Sequence, residues 1–218
     1  MMPAATDTER VTVGASGSRW FAAVWKFIDG SVDATLADAK DEILEGVAGN
    51  ILEIGAGVGS NMSRFAPGSH VVAVEPNQHM HHALASAGAA HGLNLDIRSG
   101  GAERLDVPDG SQDFVVSNLV LCSVEDRAQA LREIRRALRT GGRFVFIEHV
   151  ESPTGSWSRR WQAMLRRPWS RIFDGCDIVP STVRDIEEAG FSSINGRIER
   201  FGPAVDPSSI TYFGQAVA

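Results

Sequence analysis

Five short runs of branched and apolar residues, separated by stretches of helical spacing, constrain this chain more than any other feature. The runs are "NILEI" (50–54), "SHVVAVE" (69–75), "LNLDIR" (93–98), "QDFVVSNLVL" (112–121) and "GRFVFIEHV" (142–150). Each reads as a strand, and most as fully buried ones. Between them, 60–66, 77–90 and 125–139 carry apolar residues at helical spacing. In "EDRAQALREIRRALRTGG", Ala128, Leu131, Ile134, Ala137 and Leu138 share a face, the arginines point outward, and Gly141 and Gly142 end the helix. Alternating strands and helices specify a parallel sheet covered on both faces. Right-handed crossovers make it doubly wound, with ligands at the carboxyl ends of the strands.

The rhythm changes after residue 150. "SPTGSWSRRWQAMLRRPWSRIFDGCDIVP" reads as a helical insertion over about 152–178, and "STVRDIEEAGF" (181–191) as an amphipathic helix. "SINGRIERF" and "ITYFGQAVA" read as a closing antiparallel hairpin. The expected fold is therefore α/β, a seven-stranded, mostly parallel, Rossmann-like sheet with a C-terminal antiparallel hairpin. Residues 19–218 form one domain, preceded by a polar, flexible tail at 1–18.

Composition narrows the function. A net charge of −6 and a pI near 5.5 argue against general nucleic-acid binding, which positive charge drives. Two cysteines, Cys122 and Cys176, are too few for a disulfide framework and are expected to stay reduced. No apolar stretch approaches the roughly 20 residues of a membrane span, and the N-terminus lacks a signal-peptide pattern. The expected location is cytoplasmic.

The residues after the first strand indicate the ligand. "NILEIGAGVGSN" holds Gly55, Gly57 and Gly59, one residue short of the dinucleotide pattern G-x-G-x-x-G. Glu53 lies just before them. A carboxylate there repels a diphosphate and welcomes a cation. S-adenosylmethionine has no phosphate, an ammonium group and a sulfonium. Glu75, at the end of the second strand, suits the two ribose hydroxyls. The competing reading is that both glutamates merely cap strands.

"LEIGAGVGSN", "VVAVEPN", "DFVVSNLVLCSV", "LREIRRALRTGGRFVFIEHV" and "FDGC" resemble the class I S-adenosylmethionine-dependent methyltransferases, most of all the methyltransferase-like thiol S-methyltransferases. The resemblance runs from about residue 50 to 217. It implies S-adenosyl-L-methionine as cofactor and S-adenosyl-L-homocysteine as product. It places Glu53, Gly55, Ala56, Gly57 and Asn61 around the methionine part, and Glu75 on the ribose. Pro76, Asn77 and Met80 then shape the adenine wall, with Gly101, Ala102 and Glu103 at its edge. Asn118, Leu119 and Val120 face the sulfonium. Two positions depart from the family. Gly57-Val58-Gly59 replaces Gly-Thr-Gly, and Gly101 replaces an acid. Animal members begin with an apolar anchor and sit on membranes. This chain does not begin so, and membrane residence is not expected to carry over.

Methyl transfer demands few protein groups beyond those that orient the acceptor and exclude water. His149 and Asp174 are the candidate catalytic residues, helping a thiol acceptor to lose its proton. The plainer readings are a strand-end histidine and a turn-forming aspartate. Cys122 reads as a small core residue and Cys176 as a turn-packing or auxiliary thiol. His79 and His82 lack further ligands, so no metal is expected. Trp157, Trp161, Met164, Leu165, Trp169, Ile172 and Phe173 give the insertion an apolar face flanked by arginines. It packs on the sheet, forms a lid, or touches membrane peripherally. In "RWFAAVWKFID" (19–29), Trp20, Phe21, Trp25 and Phe27 read as pocket walls or core. Trp20, Trp25, Trp157, Trp161 and Phe173 are taken as the substrate pocket.

The leading function is methyl transfer to a small acceptor, a thiol or other soft lipophilic nucleophile. The rivals are a lipid or quinone acceptor, and a non-catalytic S-adenosylmethionine-binding protein. A nicotinamide oxidoreductase is disfavoured by Glu53 and by the lack of a Tyr-x-x-x-Lys pair, since Tyr212 is the only tyrosine.

Overall fold

The computed structural model describes residues 18–203 and 205–218; most of the expected N-terminal tail, 1–17, lies outside them. Seven strands form one sheet: β1 (Asn50–Ile54), β2 (His70–Val74), β3 (Asn94–Arg98), β4 (Gln112–Asn118), β5 (Leu138–His149), β6 (Ser193–Arg200) and β7 (Ile210–Val217). Their order is β3-β2-β1-β4-β5-β7-β6. The first five are mutually parallel, and β7 lies antiparallel between β5 and β6. The expected fold class is therefore observed, hairpin included.

Strand periodicity of two sorts the core onto the two faces. Leu52, Ile54, Val72, Val74, Val115, Phe144 and Phe146 pack with helices α4 (Arg127–Ala137) and α6 (Thr182–Glu188). Ile51, Val71, Ala73, Phe114, Val116, Val145 and Ile147 pack on the other face with α2 (Ala37–Leu44) and α3 (His81–Ala90). A third, smaller cluster of Cys122, Cys176 and Ile178 has Leu165, Trp169 and Phe173 against it. The last three come from α5 (Trp157–Ile172) and its end, so α5 is the helix of the insertion. Side chains cap several helices: Ser18 accepts from the Phe21 amide, Asp126 from Gln129 and Ser156 from Arg159.

Local structure departs from expectation where turn chemistry outweighs periodicity. Residues 60–66 form only a 3₁₀ turn, Met62–Arg64, because Pro67 and Gly68 follow and the residue before proline avoids the helical region. In 77–90 the helix starts at His81, since the Asn77 side chain first accepts from the His79 amide (3.1 Å). Helix α4 ends at Ala137, not at the glycines. Leu138 already pairs with Gln112, and Gly141 and Gly142 lie within a β5 bend whose register with β4 is shifted. Its buried face holds Ala130 where Ala128 was expected. The fourth strand stops at Asn118, because Leu119 takes a left-handed φ of 60°.

Candidate functional site

The strand order reverses between β1 and β4, so the chains leaving their carboxyl ends part and leave a crevice. A cavity of about 610 Å³ opens there. Its walls are the turn after β1, the segments after β2, β3 and β4, helix α1 (Arg19–Thr35), the end of α5 and the β6–β7 loop.

The glycine turn is tight for steric reasons. Gly55 and Gly57 have φ of 60° and 56°, the left-handed region that side chains resist. A Cβ on Gly55 would lie 2.3 Å from Val120 Cγ2, so this turn touches the loop after β4. A Cβ on Gly57 would lie 3.3 Å from Trp25 Nε1 on α1.

Two buried glutamates face each other across the turn's base. Glu53 Oε1 accepts from Asn61 Nδ2 at 2.7 Å, while Oε2 is buried without a partner. Burial pushes its carboxyl up to about 7, and the hydrogen bond from Asn61 only partly opposes this. Glu75 accepts from the Gly57 amide through Oε2 (2.8 Å) and from the Asn77 amide through Oε1 (2.7 Å). Burial raises its pKa too, against those two amides. A carboxylate offers about four lone-pair sites, so Glu75 keeps capacity for a further donor.

Helix α1 roofs this end and is fastened mainly by polar contacts. Asp29 accepts from Ser60 Oγ (2.6 Å) and Lys26 donates to the His79 carbonyl (2.8 Å). Asp33 joins buried Lys40 (2.7 Å) and Arg64 (3.0 Å).

The loop after β4 is shaped by Glu148, a residue the sequence reading overlooked. It is fully buried in β5 and accepts from Ser117 Oγ and from the amides of Val120 (3.3 Å) and Leu121 (3.0 Å). Burial raises its pKa to about 7. Leu119, held in the left-handed conformation beside it, lines the cavity. The only other non-glycine residue with positive φ among the described residues is Asp174 (46°), and it lines the cavity as well. Strained backbone tends to gather at functional sites. The signal for Glu148 was present in "FVFIEHV": an acid inside an apolar run, as in "NILEI".

The far wall combines Trp169 and Phe173, stacked at 4.3 Å, with Phe201, Pro203, Asp206 and Ser208 of the β6–β7 loop. That loop, too, was not anticipated. Buried Gln162 holds it, giving hydrogen bonds to the carbonyls of Val150 (3.2 Å) and Pro207 (2.9 Å) and accepting from the Ser152 amide (2.8 Å). His149 lies beside this wall with Nδ1 buried and unpartnered, and burial holds its pKa down to about 4.

Every residue expected around the cofactor lines the cavity except Asn77, which stands behind the wall and ties Glu75 to the Ser18 carbonyl (3.2 Å). His149 and Asp174 are both brought to the cavity. Of the expected substrate pocket, Trp25 and Phe173 line it and three tryptophans do not. Trp20 is 60% exposed and Trp157 63% exposed, each pointing outward from its helix. Trp161 stacks on Trp157 at 5.8 Å and donates to the Val205 carbonyl (2.9 Å), one helical face away from the opening. Phe27 is 89% exposed, so it forms neither core nor wall. Trp169 fills the aromatic role instead.

The cavity's polarity is one-sided. Asp29, Glu53, Glu75, Glu103, Glu125, Asp174 and Asp206 line it, and no lysine or arginine does among the described residues. Glu53 Oε2, Asn61 Oδ1, Asn118 Oδ1, His149 Nδ1 and the indole donor Trp169 Nε1 are buried in this wall without a hydrogen-bond partner. Orphaned buried polar atoms are costly and rare, and three of these five are carboxylate or amide oxygens, so the set indicates a ligand rich in donors or positive charge. A diphosphate brings only acceptors and fits badly. An adenosyl sulfonium with an ammonium group matches the set.

Comparison with known proteins agrees. Residues 52–146 match the family model described as "Methyltransferase domain". The chain is 39% identical to human thiol S-methyltransferase TMT1B over 166 residues, 73% of this chain and 67% of that protein. It is 36% identical to human thiol S-methyltransferase TMT1A over 149 residues, 66% of this chain but only 61% of that protein. Among solved structures, a SAM-dependent methyltransferase from Thermotoga maritima superposes with a TM-score of 0.63 at 17% identity, covering 90% of this chain and 99% of the other.

Proposed function

The chain belongs to the S-adenosylmethionine-dependent methyltransferases, within the thiol S-methyltransferase family, and on that premise we propose that it methylates a small, soft, lipophilic acceptor, a thiol. The observation that carries this reading is the acid-lined cavity at the topological switch, with no lysine or arginine in its wall among the described residues. When bound, S-adenosylmethionine supplies an activated methyl group on a positively charged sulfur.

The residues divide the work. Glu75 would hold the ribose hydroxyls with the lone pairs its two backbone donors leave free. Glu53 Oε2, with Asn61 beside it, would receive the ammonium group. Asn118 and the strained Leu119 would border the reacting end. Glu103 lies 2.8 Å from where a Gly101 side chain would begin, and so supplies an acid near the position where the family's own acid is missing.

A thiol must lose its proton before it attacks. His149 is held neutral by burial and offers Nδ1 for that proton. Trp169, Phe173 and Phe201 form an apolar wall that excludes water and suits a lipophilic acceptor. Asp174 lines the same cavity, where it would orient the acceptor, while Asp206 is the carboxylate whose charge acts on His149.

Calorimetry with S-adenosylmethionine, S-adenosylhomocysteine and NAD tests the first half. Binding of the first two and not the third is expected, and NAD binding alone would sink the reading. Methyl transfer to hydrogen sulfide or a small alkyl thiol tests the second. Turnover of a quinol or lipid amine with none on any thiol would reassign the acceptor, and cofactor binding with no turnover at all would favour the non-catalytic alternative.

A further inference from the structure

The third hydrophobic cluster holds the chain's only two cysteines, and they face each other. Cys122 Sγ and Cys176 Sγ lie 3.3 Å apart, both thiols free and buried. They sit on separate segments, the 3₁₀ turn Leu121–Ser123 after β4 and the loop after α5. The segments are already joined, since the Asp177 amide donates to the Cys122 carbonyl (2.8 Å). Cys176 lines the main cavity, whereas Cys122 lines a smaller pocket with Ser123, Glu125 and Asp177. We infer that Cys122 and Cys176 form a thiol–disulfide redox site, which takes small organic disulfides that enter through the methyl-transfer cavity.

The geometry favours one order of events. Cys176 reaches the cavity, so it meets an incoming disulfide first. The hydrogen bond to Cys176, with burial, pushes the Cys122 thiol up, so it keeps its proton, while that same bond draws the Cys176 thiol down. The Cys176 thiolate attacks one sulfur of R–S–S–R, forms a mixed disulfide and expels one thiolate, RS⁻. Cys122 gives its proton to a leaving thiolate and attacks Cys176 Sγ. The bond from Cys176 to the bound RS sulfur breaks, and the second RS⁻ leaves. Two protein thiols are oxidised and one small disulfide is reduced; the Cys122 proton goes to one released thiolate, and the other takes from solvent the proton that Cys176 gave up on ionising. Closing the pair to a bond of ~2.05 Å needs movement of little more than an ångström, which two loops can absorb.

The product tethers the loop bearing Asp174 to the one bearing Leu119 and Val120, two walls of the cavity. Oxidation therefore acts where the methyl acceptor enters. The inference needs the cavity but not the identity of the acceptor, and its readout is thiol chemistry rather than methyl transfer.

The native, reduced protein is incubated with 2-hydroxyethyl disulfide, and free thiols and intact mass are followed. Wild type is expected to lose both thiols, fall in mass by two hydrogens and remain monomeric in cysteine linkage. Cys122→Ser, or Cys122→Ala should the first fold poorly, is expected to stop at one mercaptoethanol adduct on Cys176. Cys176→Ser should react at least ~10-fold more slowly than Cys122→Ser, because its remaining thiol is away from the main cavity. The inference fails if the native wild type keeps both thiols until denaturant is added. It also fails if the thiols are lost only as disulfide-linked dimers, or if a stable adduct forms on wild type without the internal bond.

Discussion

Lowering the pH should loosen the grip on S-adenosylmethionine, and Glu53 sets how far. Its carboxyl is buried with one oxygen unpartnered, and burial pushes its pKa up to about 7. The sign follows from which form the ligand needs. A cation favours the ionised carboxylate, whereas the empty buried site favours the protonated one. With a midpoint near 7, about three quarters of free protein is ionised at pH 7.5 but only about one part in eleven at pH 6. If the ligand requires the ionised form, its apparent Kd rises about eightfold between those conditions, about 1.2 kcal/mol. Binding at pH 6 should then release close to one proton. Titration calorimetry in two buffers of different ionisation enthalpy reads both quantities at once. Glu53→Gln should bind more weakly at pH 7.5 and lose most of the pH dependence and the proton release. A flat wild-type profile, or a Glu53→Gln profile equal to the wild type's, would refute the reasoning. The ligand's own amino group, with a pKa of about 7.7–8.0, is already about a quarter to two fifths uncharged at pH 7.5, which trims the expected change to about five- to sixfold where the site requires the ammonium.

Four further outcomes are expected. Gly55→Ala places a methyl on Val120 in a left-handed backbone position, and should weaken cofactor binding at least ~10-fold and destabilise by about 1–3 kcal/mol, the usual scale of a strained backbone position; isothermal titration and denaturant melts measure these. Glu75→Ala should weaken S-adenosylmethionine by about 1–3 kcal/mol, the scale of a buried charged hydrogen bond, and an unchanged Kd would remove the ribose assignment. Glu148→Ala strips the partner from Ser117 and from two amides, so the melting temperature should drop by several degrees, equivalent to about 2–4 kcal/mol. Because burial lifts the pKa of Glu148 to about 7, its contribution is greatest below the unfolded carboxyl range and is lost as pH rises through 7, so Glu148→Gln should flatten that part of the stability profile of ligand-free protein. His149→Ala should cut kcat with a thiol about 100-fold with little change in cofactor Kd; since burial lowers the His149 pKa to about 4, no break in the rate profile near pH 6.5 belongs to it.

The parallel core was legible because its signal is local. Buried strands of branched residues alternate with amphipathic helices, and Asn50–Ile54 is a strand from end to end. The cavity wall was legible for a related reason: residues just after parallel strands must lie at one edge of the sheet. What was hidden depends on contacts between distant segments. That Trp20, Trp157 and Trp161 miss the cavity follows from how α1 and α5 are rotated, and nothing in a run of tryptophans tells which will face a cavity. The β6–β7 loop is pinned at the site from α5, by Gln162 on the Pro207 carbonyl and Trp161 on the Val205 carbonyl. Glu148 is an intermediate case. An acid within an apolar strand pointed to Glu53, which the structure buries at the cavity, and the same reading applied to "FIEHV" would have found Glu148.

The cavity wall has seven carboxylates and no cationic side chain among the described residues, which bears on traffic as well as grip. Methyl donation turns the ligand's sulfonium into a neutral thioether, so the spent nucleoside leaves a wall that no longer attracts its sulfur. Under the proposed function, the same wall would disfavour acceptors that arrive as anions, such as thiols carrying several carboxylates. A thiol would then come in uncharged and ionise only once inside, so that the enclosure would screen acceptors by charge before shape is consulted.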